Sequence, residues 1–167
     1  HFLEHMAFNG TKNFPGQSLI KTLEKKGITF GEKINAYTNY NETVYNLSDI
    51  HTDDPGLIDT CLLILRDWST DISLLDDEID KERGVIAEEY RTRKSGNLRT
   101  HFQTIGFILE GSKYAQRDII GSMEVILKAP AERLRALYHD WYRTDLQAVI
   151  VVGQIDPDEI ESKILKV

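Results

Sequence analysis

Cysteine occurs once in these 167 residues and proline four times. A single thiol, Cys61, excludes an internal disulfide and any zinc module built from several cysteines. No apolar run reaches the roughly 20 residues that a membrane-crossing helix needs. There is no repeat, no low-complexity linker and no block of like charge that would form a tail. The net charge of −7 argues against nucleic acid and against an anionic membrane surface as partners. No secretory leader is visible, and the chain opens on a histidine instead of a methionine, so it is read as a piece of a longer, multi-domain protein. The remainder, 41% hydrophobic and 28% charged, is enough for one globular domain spanning 1–167 with a core of its own.

The chemistry that is present gathers at the start, in His1-Phe2-Leu3-Glu4-His5. On a helix His1 and His5 lie about 40° apart and one turn along, so their imidazoles can converge on one ion. Glu4 sits beside them, within reach of a water held there. H-x-x-E-H is the inverse of the H-E-x-x-H arrangement of zinc hydrolases. Five residues also describe a plain surface helix, and the motif alone leaves that alternative open.

A second helix, about Leu74 to Lys94, adds carboxylates. With Ile79 at the origin, Leu75, Ile86 and Tyr90 form an apolar stripe. Glu82 falls near −60°, Glu89 near −80°, and Glu88 near 180°, facing water. A charge at the edge of a packed face needs a base or a metal. Glu82 and Glu89 are about 10.5 Å apart along the axis, so only one of them can ligate the ion. The spacing does not say which, and pairing with arginines is the competing explanation.

Elsewhere the pattern is structural. Asn9-Gly10 ends the first helix, and Phe14-Pro15-Gly16 makes a turn. Ser18 is expected to cap a helix over Leu19 to Lys26. Strands are expected at Ile34–Thr38 and Thr43–Leu47, around a hairpin at Asn39-Tyr40-Asn41. Asp54-Pro55 opens a helix whose apolar face carries Cys61 and Trp68, making the cysteine a small buried side chain. Further helices are expected at Leu98–Leu109, Ile119–Leu127 and Glu132–Tyr142, the last burying Leu134, Leu137, Tyr138 and Trp141. His101 and His139 lack a second ligand at metal spacing. Leu146–Val152 reads as a strand, and Asp156-Pro157 opens a final helix. The sum is an α+β domain with helices on one face of a mostly antiparallel sheet.

His1 to Phe8 with Asn9-Gly10-Thr11-Lys12 resembles the insulinase and pitrilysin zinc peptidases, including mitochondrial processing peptidase β. So do Ile34-Asn35-Ala36-Tyr37-Thr38 with Glu42-Thr43-Val44-Tyr45, Glu82-Arg83-Gly84-Val85-Ile86 with Glu89, and Trp141-Tyr142-Arg143 leading to Val149–Gly153. Phe14-Pro15-Gly16 and Asp80–Ile86 are most similar to the bacterial zinc proteases. The resemblance implies a zinc-dependent endopeptidase holding one zinc ion on His1, His5 and Glu89. Glu4 would be the base that deprotonates the zinc-activated water, and Glu82 an outer carboxylate supporting the site. Asn35, Ala36 and Tyr37 would bind an extended peptide or unfolded protein by strand addition. A second homologous domain or subunit would complete the site, so the isolated segment is expected to be inactive. A periplasmic or cell-envelope location is also implied. Two departures from the pattern are the strands missing before the histidine helix and Thr144 at a position usually held by proline. The rival readings are a non-catalytic structural subunit of the same fold and a metal-dependent S-ribosylhomocysteine lyase, which would need Cys61 as third ligand.

Overall fold

The computed structural model describes residues 1–93 and 96–167, and the side chains at 97–99 and 101 lie outside the described set. The element order is α1 (Phe2–Met6), α2 (Ser18–Glu24), β1 (Ile34–Thr38), β2 (Thr43–Leu47), α3 (Pro55–Thr70), α4 (Asp76–Arg93), α5 (Gly96–Ile108), α6 (Met123–Lys128), α7 (Ala131–Trp141) and α8 (Pro157–Ile164). This is the expected α+β class. The sheet among the described residues is a single antiparallel hairpin.

α3 is the floor of the domain. Asp54 caps it, accepting from the Leu57 N–H at 3.1 Å, with proline in the first turn where no N–H is missed. Its apolar stripe, Leu57, Cys61, Ile64 and Trp68, packs under Leu3, Met6 and Ala7 of the α1 segment and Leu19 and Leu23 of α2. The Trp68 indole N–H donates to the Ala7 carbonyl at 2.9 Å, and its ring lies 5.4 Å from Phe8 and 5.1 Å from Tyr45. α1 is thus held from below and, through Phe8, against the hairpin. Cys61 is buried as expected, and that burial pushes its thiol up to about 11. A neutral thiol in that position is neither nucleophile nor ligand.

Beside Trp68 the carboxylate of Asp67 is fully buried and accepts from Thr11 Oγ1 (2.6 Å), Asn13 N–H (2.9 Å) and Asn13 Nδ2 (2.8 Å). These bonds pin the loop after α1 to α3. In Asp67→Ala the exposed Asn13 can turn to water, but the buried Thr11 hydroxyl cannot. The expected cost is about 2–3 kcal/mol, read from denaturant unfolding of this domain. A change below about 0.5 kcal/mol, the size of an ordinary surface substitution, would show the network to be dispensable.

The structure corrects several sequence expectations. Ser18 is the first residue of α2, not its cap; Gln17 takes that position and its side chain makes no capping bond. α6 starts at Met123 instead of Ile119, because Gly121 at φ +96° belongs to a turn closed by its N–H on the Asp118 carbonyl. Leu75 precedes α4 and is 59% exposed, while Leu74 is buried in its place. On α7, Trp141 is 64% and Leu137 46% exposed, and of the four residues expected to be buried Leu134 and Tyr138 pack against the core, beside Ala131. Leu146 closes a short 3-10 turn, Thr144–Leu146, and residues 147–152 form no strand. Val152 there is 90% exposed, since no neighbouring strand among the described residues offers a ladder. The expected end of α4 at Lys94 and the expectation for His101 fall outside the described residues.

Candidate metal centre

α1 lies across α4, and their contact creates the site. The rings of His1 and His5 are 4.6 Å apart, tilted by 59°. Glu89 rises from α4 beneath them, with its Oε2 3.5 Å from His1 Nε2 and 3.3 Å from His5 Nε2. One donor atom from each of His1, His5 and Glu89 falls within 4.8 Å of the others.

Glu82 and Glu88, the other two α4 glutamates placed by angle, separate as those angles predict. Glu88 is exposed and paired with Arg91 at 2.8 and 2.5 Å, which holds its carboxyl below the ordinary range. Glu82 is buried and accepts from His5 Nδ1 (2.7 Å) and Asn9 Nδ2 (2.6 Å). Burial opposes its ionisation, but the bonds from His5 and Asn9 outweigh that and keep it below the usual range. With Nδ1–H committed to Glu82, the lone pair of neutral His5 is on Nε2, toward Glu89.

Glu89 Oε1 accepts from Arg93 at 2.5 Å, whereas Oε2 is buried with no hydrogen-bond donor, as is His1 Nδ1. An anionic oxygen buried without a donor, facing two imidazole nitrogens, is unfavourable on its own. Ligands about 2.0–2.1 Å from a tetrahedral zinc ion stand about 3.3 Å from one another. The separations of Oε2 from both histidines match that edge, so the donor set fits a divalent cation of zinc's kind.

Glu4 is half-buried, and Thr38 Oγ1 of β1 donates to its Oε2. A cleft of about 310 Å³ runs from His1 and Glu4 past Ala36, Tyr37 and Thr38 to Arg93. Ser48 N–H donates to the Lys33 carbonyl (2.9 Å) and Asn39 N–H to the Glu42 carbonyl (2.8 Å). By alternation, Asn35↔Asn46 and Tyr37↔Val44 are the hydrogen-bonded pairs of the hairpin. The backbone groups of Ile34, Ala36 and Thr38 therefore face the other edge. Those of Ile34 are used locally, its N–H by Thr29 and its carbonyl by Gly31. Ala36 and Thr38 carry the outer edge, and there the Ala36 N–H donates to the Asn35 side chain, to Oδ1 at 2.9 Å. Of the three expected substrate residues, Asn35 and Tyr37 thus spend their backbone on β2, and only Ala36 presents its own outward.

Sequence reasoning passed over three residues. Asn9 reads as a helix stop, yet its amide reaches Glu82. Arg93 stands one turn after Glu89, a spacing that could have revealed it. Nothing in the sequence marks Thr38 as a partner of Glu4.

The fold and donor set are those of an α+β domain carrying an inverted H-x-x-E-H motif whose His1 and His5, with Glu89, could hold a metal ion. The chain belongs to the insulinase family, peptidase family M16, whose model matches residues 1–114. It is 39% identical over 166 residues to a probable zinc protease PqqL of Haemophilus influenzae, covering 99% of this chain and 18% of that one. Against the PqqL of Escherichia coli, also named a probable zinc protease, identity is 39% over 159 residues, 95% of this chain and 17% of the relative. The crystal structure of the first half of the periplasmic protease PqqL from Escherichia coli superposes with a TM-score of 0.94 at 38% identity, covering 99% of this chain and 35% of that one. The chain therefore spans less than a fifth of the length of these curated relatives. Among the described residues, no helix is long and apolar enough to cross a membrane.

Proposed function

We propose that this chain is the zinc-holding part of an endopeptidase that cleaves extended peptides or unfolded protein. The observation that carries the reading is Glu89 Oε2, buried without a donor between His1 Nε2 and His5 Nε2, with Glu4 alongside. Those three atoms would hold one zinc ion, which when bound supplies the Lewis acidity that lets water ionise near neutral pH. Glu4, its Oε2 engaged by Thr38, takes that proton at Oε1 and passes it to the leaving amine. Glu82 and Asn9 fix the ring of His5, and Arg93 fixes Glu89. The peptide lies along β1 and pairs with Ala36 and Thr38 by strand addition. A second homologous region closes over the substrate, and the protein works in the periplasm or cell envelope.

The edge geometry supplies the test. Proline is tolerated on an edge strand where its missing N–H would have faced outward. The exposed Asn35 Oδ1 that accepts from the Ala36 N–H gives way to a peptide carbonyl. In the full-length protein Ala36→Pro is therefore expected to raise KM for an extended fluorogenic peptide by about threefold, less than for a wholly new hydrogen bond, with zinc content unchanged. Tyr37→Pro instead removes a hairpin bond and should lower thermal stability. Unaltered KM in Ala36→Pro would place the peptide elsewhere.

A further inference from the structure

The cleft beside the metal centre is bounded at one end by a clasp between two distant parts of the chain. Tyr40, at the tip of the hairpin, stands two residues past Thr38 and lines the cleft with it. Its ring meets that of Tyr114 edge-on, with the centroids 5.0 Å apart. The Tyr114 hydroxyl donates to Asn41 Oδ1 at 2.8 Å. Tyr114 opens the 3-10 turn Tyr114–Gln116. The chain that leaves this turn supplies the facing wall, with Asp118, Ile119 and Ile120 in the same cleft as Ala36 and Thr38. Edge strand and facing wall are thus tied together at the hairpin tip.

The two ends of that wall are held differently. Ile120 is buried and packs with Ile86 and Ile126, and its N–H donates to Asp118 Oδ1 at 3.2 Å. Tyr114 and Tyr40 are 40% and 37% exposed. An exposed hydrogen bond and an exposed aromatic pair each contribute modestly against water. The clasp can therefore open while the Ile120 end stays packed. Thr38 holds Glu4, which places the cleaved bond beside it. A strand advances about 3.3 Å per residue, so the edge between that point and the clasp has room for about two residues of a bound peptide.

We propose that Tyr114 is a specificity-determining residue. Clasped on Tyr40 and Asn41, it ends the peptide-binding edge and sorts substrates by how far they run past the cleaved bond toward the hairpin tip. The proposal rests on the binding of peptide along β1 put forward above. A peptide with one or two residues on that side fits within the closed cleft. A longer one has to displace Tyr114, and its apparent affinity falls by the fraction of molecules in which the clasp is open. Cleavage near one chain end thus runs on the closed form, and cleavage far from both ends on the open one.

The test uses the full-length zinc-loaded protein and two ladders of end-blocked fluorogenic peptides. One ladder is lengthened with Gly and Ser on the N-terminal side of a single cleaved bond, the other on its C-terminal side. One of them is expected to show a rise in KM of about tenfold when a third residue is added, and the other none. The ladder that responds gives the polarity of the bound peptide. In Tyr114→Ala the step should disappear. Tyr114→Phe and Asn41→Ala keep the ring and lose the hydrogen bond, and in them it should shrink to about threefold. The ratio of long to short peptide within each variant cancels any general loss of folded, zinc-loaded protein. No step on either ladder in the parent protein, or a step that persists in Tyr114→Ala, would overturn the proposal. The same ladders, bound to Glu4→Gln and followed by fluorescence anisotropy, should show the same step in Kd. A step in binding without hydrolysis by the parent protein would keep the clasp and refute the peptidase reading, and hydrolysis without a step would do the reverse. Neither binding nor hydrolysis would overturn both.

Discussion

Glu89→Gln is expected to weaken zinc binding on the order of 10³-fold in a titration against a competing chelator, while Glu88→Gln leaves it unchanged. Structural zinc sites bind with about 10–16 kcal/mol, so one ligand's share is worth several kcal/mol. The neighbouring residue is a demanding control, because it has the same charge, helix and chemistry and differs only in angle. Glu88 points to solvent against Arg91, and Glu89 points to the two histidines. Glu82→Gln should fall between them, at about 10–100-fold, since it acts on the ion only through His5. Equal losses at positions 88 and 89 would sink the assignment of Glu89.

Glu4→Gln is expected to cost about 10²–10⁴-fold in kcat with zinc retained, the range for removing a general base. Glutamine keeps the size of the side chain and can still accept from Thr38 through its amide oxygen. It cannot take a proton. Zinc loss in this variant would mean that Glu4 belongs to the ligand set, and full activity would mean that another group acts as base.

Much of this arrangement is legible in the residues themselves. The two strands fall where β-branched and aromatic residues flank Asn39-Tyr40-Asn41, because a hairpin is a local structure with local signals. The angular positions of Glu82, Glu88 and Glu89 follow from helical geometry alone. Partnerships across the chain are another matter. Thr38 is an ordinary strand residue until the hairpin is laid against α1, and Asn9 an ordinary helix stop until α4 passes beneath it. The Leu146–Val152 run shows the opposite failure. Apolar periodicity reports a surface that needs cover and is silent on what provides it, so Trp141 and Val152 read as core although each is mostly exposed.

The order of α1 does not come from its own sequence. It has five residues and no side-chain cap. A helix that short lies far below the length at which propagation repays the cost of nucleation in water. Its order is therefore borrowed: from Trp68 on the Ala7 carbonyl, from Thr38 on Glu4, and from Glu82 on both His5 and Asn9. The metal-binding motif is in this sense a late product of folding, formed only when the core, the hairpin and α4 have already met. A synthetic peptide carrying His1 to Gly10 should be a coil with little preference for zinc, and a cavity cut at Trp68 should register as lost metal affinity before any ligand has been touched.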